Sequence, residues 1–117
     1  MRVSNLGDPA KSFEDDFIVD TGAVISFAPA AKLHAIGVLP TRKKQFRLAD
    51  GSVVTREVGD VFFEVQGERG AAPVIFAAGA DATLLGAVTL EALALAVDPA
   101  SQKLHPVTLL AVGARWA

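Results

Sequence analysis

Asp50-Gly51 lies between two runs of extended character, residues 43–48 and 53–58. An Asp-Gly pair flanked in this way is a strong hairpin signal, because the turn needs backbone angles that these two residues tolerate. The middle of the chain is therefore expected to be antiparallel β-structure. The same character extends to both sides. Residues 2–6, 13–19, 24–27, 60–66, 72–77, 95–97 and 103–107 read as further short strands, rich in β-branched and aromatic residues. Gly7-Asp8-Pro9, residues 67–70 and Asp98-Pro99 read as turns between them. Two stretches break the pattern. Pro29 suits the first turn of a helix over residues 30–36 that stops at Gly37. Residues 88–94 place Leu90 and Leu93 on one helical face with Glu91 outside. Many short strands and two short helices predict a mostly β fold, a small closed or partly closed barrel.

Composition narrows the functional classes. The chain has 117 residues, half of them apolar, enough for one domain spanning 1–117 with a small core. No stretch approaches the roughly 20 apolar residues of a membrane span. Met1-Arg2-Val3-Ser4-Asn5 lacks the apolar core of a signal peptide. There is no cysteine, which excludes disulfides and thiolate metal sites and fits a reducing compartment. A soluble, cytoplasmic protein is the expectation. The net charge is −2, and the one basic cluster, Arg42-Lys43-Lys44, is short and has no aromatic residues interleaved. Nucleic acid and membranes are therefore not expected as partners. Glu14-Asp15-Asp16 reads as a solvated strand start rather than a metal site, since nothing nearby completes a coordination shell. Neither His34 nor His105 has a companion at metal-ligand spacing, and no serine lies in a nucleophile-elbow pattern.

Two short motifs carry the chemistry. Phe17-Ile18-Val19 runs directly into Asp20-Thr21-Gly22-Ala23, which puts a carboxylate at the mouth of a strand. About sixty residues later, Ala82-Thr83-Leu84-Leu85-Gly86 sets two large apolar residues before a glycine, and a helical segment follows. In this order and spacing, with a hairpin between them, the motifs resemble those of the retropepsin-like aspartic proteases of the single-domain bacterial type. The likeness spans roughly residues 13–107. It implies that Asp20 is the catalytic carboxylate. Thr21 would bond across a dimer to its mate's loop, and Gly22 would let a substrate backbone approach closely. Residues 48–58 would form the flap hairpin, with 49–52 closing over the bound peptide. The resemblance implies substrate contacts from Ala23, Val24, Ala49, Asp50, Gly51, Ser52, Leu85 and Gly86, with Ile25 and Val54 among the apolar subsites. It implies no metal and no cofactor.

A single Asp-Thr-Gly constrains the mechanism. Peptide hydrolysis without a metal or a covalent intermediate needs one group to take a proton from water and another to give one to the carbonyl oxygen. One carboxyl group cannot do both at once. Two in contact share a proton, because like charges that close do not both ionise. The expected solution is a homodimer contributing one Asp20 from each chain and acting on a polypeptide. Retroviral members carry an aspartate and an arginine where this chain has Val24 and Ala87, so a supporting ion pair is replaced as a unit. Dimer contacts then fall to other segments: the apolar tail at 105–112, which reads equally as an ordinary core strand, and the N-terminal strand are the candidates, and Trp116 is either frayed or part of an interface. Because Ala23 offers the carboxylate no hydroxyl, activity is expected to extend to weakly acidic or near-neutral pH. The alternative is a non-catalytic peptide-binding or dimerisation module on the same fold.

Overall fold

The computed structural model describes residues 1–108. The tail from 109 onward, Trp116 included, lies outside the described residues. Ten strands and two short helices follow in the order β1 (Arg2–Ser4), β2 (Ser12–Glu14), β3 (Ile18–Val19), β4 (Ser26–Pro29), α1 (Ala30–Ala35), β5 (Arg42–Arg47), β6 (Val53–Val65), β7 (Glu68–Ala77), β8 (Leu84–Leu85), α2 (Ala87–Ala92), β9 (Leu95–Asp98) and β10 (Lys103–Pro106). Eight strands form one curled sheet in the order β2-β1-β6-β7-β4-β8-β3, with β5 also paired to β6. Strands β9 and β10 make a separate hairpin. The sheet is a half-barrel: β2 and β3 end its strand order and do not pair with each other.

The hairpin signal at Asp50-Gly51 corresponds to the β5–β6 turn. Leu48 donates to the Ser52 carbonyl at 2.8 Å, and Gly51 donates to the Leu48 carbonyl at 2.9 Å. Gly51 has φ +86°, the left-handed position that closes a three-residue loop and that glycine adopts without a steric penalty. The strand expected over 13–19 is two strands. The chain bends at 15–17, where Asp15 pairs with Lys32 at 2.8 Å and Phe17 meets Phe63 edge-on. Residues 53–58 and 60–66 are not separate strands, because β6 runs through Gly59 without a break. The turn expected over 67–70 is tighter, with only Gln66 and Gly67 in the left-handed region. The strand expected over 24–27 is shifted to Ser26–Pro29, so Pro29 ends β4 and caps α1 instead of opening the helix.

Apolar side chains that alternate along β6 and β7 build the main core. Val61, Phe63, Val74 and Leu33 are fully buried there, under α1 and α2. A second, smaller cluster of Phe27, Val58 and Ile75 lies apart from it, with Ile25, Phe46 and Leu84 packed around it. This second cluster positions the site, because it faces the hairpin instead of closing under a helix.

Candidate functional site

The two motifs meet through β8. Leu84–Leu85 slots between β3 and β4, parallel to β3 and antiparallel to β4. The amides of Ile18 and Asp20 donate to the carbonyls of Thr83 and Leu85, both at 3.0 Å. The chain leaves β3 at Asp20, turns through Thr21 and Gly22, and returns along β4. The Ala23 amide closes that turn on the Asp20 carbonyl at 3.1 Å.

The turn is held from below. An α-helix leaves its first amides without partners inside the helix. In α2 these belong to Ala87 and Val88, which donate to the carbonyls of Ala23 and Val24 at 2.8 and 3.0 Å. Gly86 lies between the helix and the loop. A Cβ there would come within 2.8 Å of the Ile25 carbonyl carbon and 2.9 Å of the Ala23 oxygen. Ser26, buried in β4, accepts from the Gly86 amide at 2.9 Å and shares a 2.6 Å hydrogen bond with buried Thr89. Both motifs are thus parts of one cross-braced unit. Ser26→Ala would leave a buried amide and a buried hydroxyl without their partner. A loss of about 1–3 kcal/mol is expected in urea melts, whereas Ser52→Ala on the exposed turn should cost less.

On this base the Asp20 side chain is exposed, and its Oδ1 accepts from the Gly22 amide at 2.9 Å. It lies on a groove of about 930 Å³ between the motif loop and the β5–β6 hairpin. The groove floor is the second apolar cluster: Ile25, Phe27, Phe46, Ile75 and Leu84. Of the residues singled out in the sequence, Asp20, Gly22, Ala23, Val24, Ala49 and Asp50 line the groove. Thr21 is exposed beside it, and Gly51 and Ser52 form the back of the hairpin turn. Leu85 and Gly86 are buried beneath the loop and do not face the groove. Val54 is not among the lining residues, and its cross-strand partner Phe46 is. The alternation along β5 could have shown this, since Phe46 is the one large apolar residue in Arg42–Arg47. Ala80, Asp81 and Ala82, ahead of β8, complete the wall; Ala82 opens the second motif, whereas Asp81 carried no sequence signal.

The carboxylates around the groove differ in setting. The Ser52 hydroxyl, at 2.6 Å, and the Ser52 amide hold the Asp50 carboxyl below its ordinary value. The Arg56 guanidinium does the same for Asp81 through two hydrogen bonds, of 2.7 and 3.0 Å. Among the described residues no cluster of three or more histidine, aspartate or glutamate side chains could hold a metal ion. No described helix is long and apolar enough to cross a membrane.

At the sheet edge beside Asp20, apolar surface lies open. Ile18 and Val24 are 63 % and 66 % exposed, and Val19 is also exposed. Ile18 and Val19 form an edge strand two residues long, and Val24 stands on the loop before β4, where it also lines the groove; these aliphatic side chains are uncovered in the isolated chain. No family model, no curated protein and no solved structure matches this chain.

Proposed function

We propose that this chain is an aspartic endopeptidase of the retropepsin-like kind, active as a homodimer in which each copy supplies one Asp20. The observation that carries the reading is the exposed Asp20 carboxylate at the lip of an apolar groove. It sits on a loop braced by the second motif and next to bare aliphatic surface at a sheet edge. A second copy packed on Ile18, Val19 and Val24 would cover that surface and bring the two Asp20 loops together.

In the paired site one carboxylate is ionised and the other protonated. The ionised group takes a proton from a water molecule held between them, and the resulting hydroxide attacks the peptide carbonyl carbon. The protonated group gives its proton to the carbonyl oxygen, so a neutral tetrahedral diol forms. The carboxyl that took the water's proton then gives it to the amide nitrogen while the other takes one from a diol hydroxyl, so the C–N bond breaks to an acid and an amine and the pair again holds one proton. The two groups titrate as a unit. The groove would take an extended peptide, with apolar side chains on the Phe27, Phe46 and Ile75 floor and main-chain bonds to the hairpin.

The test is incubation of the purified protein with a peptide library, with and without a statine-type inhibitor, alongside its solution mass at micromolar concentration. Cleavage that the inhibitor stops, by a species of dimer mass, is the expected result. A strict monomer, with or without peptide, would instead favour the binding-module reading.

A further inference from the structure

The β5–β6 hairpin leaves the sheet before its turn. The β6–β7 ladder begins at Val58, opposite Ile75, and β6 from Val53 to Glu57 pairs only with β5. The distal hairpin, residues 43–56, therefore has no strand partner in the body of the protein among the described residues. Among the described residues, two kinds of side-chain contact tie it to the body. One is apolar, the Phe46 ring against Phe27 with centroids 6.1 Å apart. The other is ionic. Arg56 donates through Nε to Asp81 Oδ2 at 2.7 Å and through Nη2 to Oδ1 at 3.0 Å. Asp81 belongs to the loop that leads into β8 and lines the groove. The Ala78 amide fixes the same carboxylate at 3.0 Å.

This pair differs from the other ion pairs of the described residues. The side chains of Arg56 and Asp81 are 19 % and 6 % exposed, and every other pair is more open. A planar fork on a carboxylate specifies distance and angle together, which a lysine does not. Arg56 also lies directly across the ladder from Lys44. Like charges in that position repel, so without Asp81 the hairpin would carry an unbalanced pair of cations.

We propose that Arg56 and Asp81 are positioning residues that fix the height of the hairpin over the groove, and so how firmly the groove holds a ligand. The inference rests on the groove being the substrate site. The pair bridges the two walls of the groove, and among the described residues its hydrogen bonds run to Thr55 and Ala78 and not to Asp20 or its loop. Breaking it should free the hairpin and leave the chemistry intact.

The experiment is native-state amide hydrogen exchange on the whole chain, comparing wild type with Arg56→Met, Asp81→Asn and Arg56→Lys. In the first two, amides at 43–56 are expected to exchange at least about tenfold faster, the equivalent of one lost charge-assisted hydrogen bond. The β6–β7 amides at 60–65 and 70–75 should keep their wild-type rates. Arg56→Lys keeps the charge without the fork and should fall between. Unchanged exchange at 43–56, or equal acceleration over the whole chain, would overturn the proposal. This readout needs no substrate, so it holds even if the wild type cleaves nothing and the proteolytic reading fails. In a cleaving wild type, Arg56→Met, which is not a groove residue, should raise KM several-fold with kcat nearly unchanged. A fall in kcat at constant KM would count against positioning.

Discussion

In the proposed paired site, Asp20→Asn is expected to reduce peptide hydrolysis by at least about a thousandfold while leaving the fold and the proposed dimer intact. The two halves of that expectation have different origins. The structural role of the side chain is one accepted hydrogen bond, from the Gly22 amide to Oδ1. An asparagine can accept the same bond through its amide oxygen, so the turn should keep its shape. The chemical role in the proposed mechanism is to take and give a proton, which an amide cannot do. Circular dichroism and solution mass should match the wild type, and the cleavage assay should not. A mixing experiment sharpens the result. If each site needs Asp20 from two chains, equal amounts of wild type and variant, allowed to exchange subunits, leave only roughly a quarter of the dimers competent. Activity of one half instead would mean that one chain holds a complete site. Substantial activity in the pure variant would remove Asp20 from the mechanism.

Gly86→Ala should produce the largest loss of stability, about 3 kcal/mol or more, above the usual cost of overpacking. Backbone strain is not the cause, because Gly86 has φ −94°, which alanine adopts readily. The cause is space. The added carbon would lie 2.8–2.9 Å from three backbone atoms of Ala23 and Ile25. Backbone cannot rotate aside as a side chain can. The loop cannot retreat either without breaking the bonds from Ala87 and Val88 to the Ala23 and Val24 carbonyls. Guanidinium melts should show the loss, and any folded fraction should have an altered Asp20 turn. A variant within about 0.5 kcal/mol of wild type, the range of ordinary surface substitutions, would mean that the loop and α2 are not braced as described.

What could be read along the chain was local. Asp50-Gly51 announced its hairpin because the turn is formed by neighbours, and Gly51 occupies the left-handed position there. Gly37, at φ +77°, ends the first helical segment for the same reason. The bend at 15–17 and the unbroken run of β6 through Gly59 were not legible. At the first, Asp15 pairs with Lys32, seventeen residues on, and at the second β6 keeps its pairing with β7 through Gly59, where a Cβ would meet the Leu39 carbonyl and the Phe76 ring. Nor did the sequence distinguish which motif residues face the groove. Leu85 and Gly86 read as contacts, but in the fold they support the loop from beneath.

The order of residues by itself determined the mostly β character, the hairpin, the two short helices and the pair of motifs, because propensity and turn chemistry act over a few positions. Tertiary structure alone decided that the sheet is an open half-barrel, that β8 slots between β3 and β4, and that the groove has a Phe27–Phe46–Ile75 floor. The same holds for Ser26 meeting Thr89 and Arg56 meeting Asp81, pairs 63 and 25 residues apart. Contacts at such separations depend on how the strands curl around a shared core, which no local pattern encodes.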